Sequence, residues 1–139
     1  MIARDVMTAN PLTVTPEASV AEVWDLMREA DVRHVPVTLD GVLVGMLSDR
    51  DLARVDLARL LKVGGADALR QELATPISRV MSPDPISVEP ESEISEVIGL
   101  LLDHKIGALP VVDEGTREVV GIISYVDVLR ALQGVLEED

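Results

Sequence analysis

Most of this chain is written twice. The stretch DVMTANPLTVTPEASVAEVWDLMREADVRHVPV, from Asp5, aligns without a gap to RVMSPDPISVEPESEISEVIGLLLDHKIGALPV, from Arg79. Val6 matches Val80, Pro11 matches Pro85, Pro16 matches Pro90 and Pro36 matches Pro110, each pair 74 residues apart. Further on, GMLSDRD from Gly45 matches GIISYVD from Gly121. The spacing is now 76 residues, because DEGTREVVG is two residues longer than LDGVLVG. Such length changes belong in surface loops, so the sequence reads as a tandem duplication with one hairpin insertion.

Each repeat runs through the same elements. An extended PLTV or PISV leads into a Pro-Glu turn and an amphipathic helix. Val20, Val23, Met27 and Ala30 form the apolar stripe of the first such helix, and Ile94, Val97, Leu101 and Leu102 that of the second. Ser19-x-x-Glu22 has the form of a capping box. VRHVPV and VLVGML then read as strands joined at Asp40-Gly41, a hairpin dipeptide. A second helix begins at Ser48 or Ser124. A three-stranded sheet this small cannot bury both faces alone. The expected fold is therefore α+β: two tandem β-α-β-β-α repeats related by a pseudo-twofold axis, with their small sheets packed together. The repeats are expected at 1–61 and 77–134, with a helical connector at 62–76 and an acidic tail at 135–139. In the connecting stretch, residues 52–61 extend the second helix, Gly64-Gly65 breaks it, 66–73 resumes it and Thr75-Pro76 ends it. Leu60, Leu61, Leu69 and Leu73 would share one face.

Composition narrows the function. The chain has no cysteine, which excludes disulfides and thiolate metal sites. Phenylalanine is absent and Trp24 and Tyr125 are the sole aromatic residues of that class, so the core is aliphatic. A net charge of −13 offers no basic stripe for a phosphate backbone, which argues against nucleic acid. No uncharged apolar run approaches the roughly 20 residues of a membrane helix, and MIARDVMTANP lacks a signal peptide's apolar stretch. A soluble, cytoplasmic protein is expected. With His34 and His104 far apart in sequence and no cysteine, a transition-metal site has little support. No P-loop, G-x-G-x-x-G or Ser-His-Asp spacing nominates an enzyme.

The twin Ser-x-x-Asp carries two readings. Serine at a helix N-cap accepts from a backbone N–H one turn in, and aspartate at N3 reciprocates, for roughly 0.5–2 kcal/mol. The same helix end favours an anionic group, and the serine hydroxyl adds a donor. An aspartate at that mouth can accept both hydroxyls of a ribose diol, while the preceding glycine lets strand backbone approach a flat base. From these seven residues alone, both readings stay open.

The tandem β-α-β-β-α order, the openings DVMT and RVMS, the strands RHVPV and GALPV, and the twin G-h-h-S-x-x-D together resemble a pair of CBS domains, modules named after cystathionine β-synthase. The resemblance covers essentially Ile2 to Leu132. It implies clefts that take AMP, ADP or ATP, with Mg²⁺ arriving on the phosphates, or S-adenosylmethionine. It further implies regulation of a partner protein and a homodimer. Carried over, a preferred cleft has Ser124 and Asp127 with Ile122 on the base, and Thr8, Leu12, Arg33 and His34 from the first repeat. A second cleft has Ser48 and Asp51 with Met46 on the base, Arg50 at the mouth, and Pro85, Ile86, Gly107 and Ala108 from the second repeat. Arg33-His34 becomes Gly107-Ala108 in the second repeat, so phosphate-facing cations favour the Asp127 cleft. S-adenosylmethionine ranks below the nucleotides because it offers Arg33 no phosphate. The rival reading is a ligand-free dimerisation scaffold in which the caps are only caps. In either case Trp24 is read as interface packing rather than a stacking platform.

Overall fold

The computed structural model describes residues 1–53 and 64–138. In chain order these form α1 (Ala3–Val6), β1 (Thr8–Ala9), α2 (Val20–Ala30), β2 (His34–Leu39), β3 (Val42–Ser48), a helix α3 seen over 49–53, α4 (Ala66–Leu73), a 3₁₀ turn (Ile77–Arg79), β4 (Ser82–Pro83), α5 (Ile94–His104), β5 (Ala108–Val112), β6 (Val119–Ser124) and α6 (Tyr125–Glu137). The fold is mixed, with two small antiparallel sheets ordered β1-β6-β5 and β2-β3-β4. The expected continuation of α3 to residue 61, and the Leu60 and Leu61 part of the apolar face, lie outside the described residues. Of that face, Leu73 packs on the core and Leu69 is half-buried.

The chain divides into two compact units. The first contains Met1–Pro11, Gly41–Leu43 and Pro85–Asp139; the second contains Leu12–Asp40 and Val44–Asp84. Neither unit is a repeat. The opening of the first repeat, α1 and β1, belongs with the body of the second, and the 3₁₀ turn and β4 belong with the body of the first.

Matching hydrogen bonds make the exchange. In the first unit Ala3 N–H donates to Ser92 O at 2.8 Å and Ile94 N–H to Met1 O at 3.0 Å. In the second unit Ile77 N–H donates to Ala18 O at 2.8 Å and Val20 N–H to Thr75 O at 2.9 Å. Ala3 and Ile77 are both fully buried, so each opening also supplies a core residue. The first unit's core joins Ala3, Val88, Val97, Leu101, Leu109, Val111, Ile123 and Val128. The second joins Val14, Val20, Val23, Met27, Val35, Val37, Leu47, Leu52 and Ile77. Both are aliphatic, as the composition requires.

The local signals behave as their chemistry dictates. Ser19 Oγ accepts from Glu22 N–H at 3.1 Å and starts α2. Helices α2 and α5 end on left-handed residues at matching positions, Asp31 (φ 54°) and Lys105 (φ 54°). Asp40 and Gly41 both take positive φ (52° and 84°), the backbone a two-residue hairpin of this kind needs. In the longer second hairpin the Asp113 carboxylate accepts from Gly115 N–H at 2.9 Å and Thr116 N–H at 3.0 Å. Two stripe positions face outward instead: Ala30 is exposed and Leu102 is 70% exposed, Leu101 having taken the inner side.

Candidate functional site

Both Ser-x-x-Asp segments are helix caps with reciprocal bonds. In the first unit Ser124 Oγ accepts from Asp127 N–H at 3.2 Å, while Asp127 Oδ2 accepts from Ser124 N–H at 2.9 Å and from the Ser124 hydroxyl at 3.0 Å. In the second, Ser48 Oγ accepts from Asp51 N–H at 3.3 Å and Asp51 Oδ2 accepts from Ser48 N–H at 2.9 Å. The single proton of the Ser124 hydroxyl is directed at Asp127 in this structure. Asp127 keeps its other oxygen: Oδ1 stands 3.8 Å from Arg130 Nη1, on a side chain 16% exposed beside an arginine 74% exposed. An ionised carboxylate has about four acceptor sites. The cap occupies one oxygen, and Oδ1 has the chemistry to accept ribose hydroxyls.

The glycine that opens each repeated motif, Gly45 or Gly121, has a packing role visible in the structure. A Cβ added to Gly121 would collide with Met7 Sδ and would lie 3.0 Å from Met7 Cγ and 3.2 Å from Thr8 O. A Cβ on Gly45 would collide with Met81 Sδ and lie 3.1 Å from its Cγ and Cε. Each glycine makes room for the methionine of the exchanged opening, DVMT or RVMS. The glycine of one motif and the methionine of the other are one packing feature.

That feature carries hydroxyl residues to equivalent places. Thr8 is the register partner of Ile122, two residues before Ser124. Ser82 is the register partner of Met46, two residues before Ser48. Ser82 was not among the residues read from the sequence, although it lies at the 74-residue spacing from Thr8 that would have found it. Past each strand comes a non-glycine residue with positive φ followed by proline: Asn10 (φ 49°) before Pro11, and Asp84 (φ 45°) before Pro85. Asn10 N–H donates to Val120 O at 3.2 Å and Asp84 N–H to Val44 O at 3.4 Å, repeating the same geometry.

The units sort the expected residues as follows. Thr8, Pro85, Ile86, Gly107, Ala108, Ile122, Ser124 and Asp127 belong to the first unit; Leu12, Arg33, His34, Met46, Ser48, Arg50 and Asp51 belong to the second. In the first, buried Ala108 pairs in register with Ser124, and Tyr125 N–H donates to Gly107 O at 3.0 Å, so these two support the cap. In the second, Asp49 N–H donates to Arg33 O at 2.9 Å. The group brought together there is Arg33 and His34 with Asp49, Arg50 and Asp51. Burial holds the His34 pKa below the usual histidine value; Asp49 and Asp51 pull it up, and Arg33 and Arg50 push it down. A cavity of about 190 Å³ in this unit is lined by Trp24, Met27, Arg28, Asp31 and Asp49 among others, and by none of the residues named for ligand. Among the described residues no cluster of His, Asp or Glu is suited to hold a metal ion, and no helix is long and apolar enough to cross a membrane.

Two aliphatic units that trade their opening segments, each with a Ser-x-x-Asp cap at the end of a central strand, define a tandem pair of small mixed α/β modules. The chain belongs to the CBS domain family, which it matches twice, over residues 3–58 and 77–134. It is 36% identical over 124 residues to the CBS domain-containing protein YhcV of Bacillus subtilis, covering 89% of this chain and 80% of that one. It is 34% identical over 117 residues to inosine-5'-monophosphate dehydrogenase of Korarchaeum cryptofilum, covering 84% of this chain but 21% of the enzyme. Among solved structures, CBSX2 in complex with AMP is 30% identical, with a TM-score of 0.79 over 96% of this chain and 97% of that one.

Proposed function

We propose that the chain is a non-catalytic regulatory module that binds an adenine nucleotide (AMP, ADP or ATP) and alters how a partner protein is engaged. The observation that carries this reading is the divided carboxylate of Asp127, with Oδ2 in the cap and Oδ1 beside Arg130. Thr8 and Ile122 lie alongside on the strand pair that leads to it. The AMP complex of the similar CBSX2 supports the ligand class. In this reading Asp127 accepts the ribose hydroxyls, Ile122 meets the base and Thr8 adds a hydroxyl. Asp51, Met46 and Ser82 do the same in the second unit. Leu12, Arg33, His34 and Arg50 remain the residues assigned to base and phosphate, and Pro85, Ile86 and Ala108 complete the set. Regulation then requires only that the ligand favour one arrangement of the module over another. A homodimer is part of the proposal, supported by the exposed apolar residues of α6, where Leu129 is 59% and Leu136 73% exposed.

Thermal unfolding with AMP, ADP, ATP and S-adenosylmethionine added separately tests the reading. A ligand at 100 times its dissociation constant stabilises by about 2.7 kcal/mol, which for a chain of this size raises the melting temperature by about 5–10 °C. A rise with one or more nucleotides supports the proposal. A rise with S-adenosylmethionine alone replaces the ligand, and no rise with any of the four leaves the scaffold reading.

A further inference from the structure

A strand of two residues cannot set its own register. Strands β1 and β4 each contribute only two residues to their sheets, and a slip of one residue would turn every side chain to the opposite face. Something outside the ladder must hold Thr8 opposite Ile122 and Ser82 opposite Met46. In both units the residue just before the short strand is a methionine whose sulfur sits on the glycine of the neighbouring strand, filling the space of the absent Cβ. The sulfur sits one position from the hydroxyl residue, and the glycine one position from its register partner. Any slip would carry the sulfur from Gly121 onto Val120 or Ile122, or from Gly45 onto Val44 or Met46, where a side chain occupies that space.

We propose that the Met7–Gly121 and Met81–Gly45 contacts are register locks, and that Met7 and Met81 are positioning residues for the hydroxyls of Thr8 and Ser82 at the two ligand sites. The proposal rests on the adenine-nucleotide reading for its functional half, and on packing alone for its structural half. It assigns Ser82 to the second site, and it gives the methionines a role in affinity without contact to ligand.

The test uses the full chain unchanged and as Met7→Ala, Gly121→Ala and Met7→Ala/Gly121→Ala. Each form is titrated with AMP and examined by NMR for cross-strand contacts between Thr8 and Ile122. Met81→Ala serves as the control that loses the same side chain from the other unit. Met7→Ala is expected to lose the Thr8–Ile122 contacts and to weaken AMP at the Asp127 site at least tenfold, with Met81→Ala within twofold at that site. The double variant regains contacts and affinity relative to Gly121→Ala, because removing the sulfur frees the space the new methyl needs. Unchanged affinity and unchanged contacts in Met7→Ala overturn the proposal, as does a double variant no better than Gly121→Ala. Should the unaltered chain bind no AMP, the nucleotide reading fails, while the lock still stands or falls on the NMR contacts. If Gly121→Ala does not fold, recovery of a folded double variant supports the lock, and failure of both overturns it.

Discussion

Asp127 Oδ2 accepts two hydrogen bonds from Ser124, one from its backbone N–H at 2.9 Å and one from its hydroxyl at 3.0 Å. The cap and the proposed ribose contact therefore use different oxygens of one carboxylate, and they separate by substitution. Asp127→Ala removes both and is expected to cost about 0.5–2 kcal/mol of stability. Asp127→Asn keeps a neutral acceptor for the cap and loses the charge, so it costs less in a urea melt. Both are expected to weaken AMP by tenfold or more, in line with the roughly 1.5–3 kcal/mol of a hydrogen bond to a charged group. Calorimetric titration beside the urea melts decides: full AMP affinity in Asp127→Asn returns the aspartate to a cap.

Acid is expected to loosen the second unit through His34. Its pKa in the fold lies below the value of 6.5 it has when unfolded, chiefly from burial. Between those two values the unfolded chain binds more protons, so stability rises with pH there. The His34 contribution is whole above about pH 6.5 and is lost as the pH falls through the folded value. Urea melts across this range should show the slope, and His34→Gln should reduce it. An unchanged slope in His34→Gln would assign it to carboxylates instead.

Ile77 is expected to behave as a core residue of the body that precedes it in sequence. It is fully buried among Val20, Val23, Leu47 and Leu52. Ile77→Ala should cost about 2–5 kcal/mol. Hydrogen exchange should locate the loss in α2, β2 and β3, with α5, β5 and β6 less affected. A loss centred on α5 and β5 would contradict the exchange of openings.

Self-association is expected to depend on α6. Tyr125 and Val126 are partly exposed at positions where the first repeat has Asp49 and Arg50, and Leu129 stands where it has Ala53. Leu129→Glu and Leu136→Glu should leave a single molecule's stability within about 0.5 kcal/mol, as surface changes do, and convert a dimer to a monomer. Light scattering after gel filtration measures this. A dimer that survives both changes is built on another surface.

Much of the fold was legible because its signals are local. The hairpin at Asp40-Gly41, the Ser19, Ser48 and Ser124 caps and the helix over 66–73 each depend on residues within one turn of each other. The exchange of openings was not legible, for a physical reason. Duplicated segments present the same side chains to either body, so Ile77 packing against Ala18 and Ile77 packing against Ser92 leave nearly the same pattern in sequence. The partners of the glycines were hidden for a related reason. A residue without a side chain announces a close approach but not what approaches, and in each unit a methionine, Met7 or Met81, fills the space of the absent Cβ. Leu102 fitted a helical stripe, but a stripe two residues wide has one inner member, and Leu101 is that member. Ser82 carries no local signal of its own; it stands out only by matching Thr8, a second hydroxyl residue at the same place in the other repeat.

The traded openings have a consequence for how such a chain could have arisen. Before duplication, a lone copy would have had only its own opening to set against its own body, a pairing the present chain does not use. Two separate copies, each lending its first residues to the other, would have completed both. On that account the present chain inherits a partnership between molecules as a bond within one, and a deletion at its beginning injures the half farthest from it in sequence.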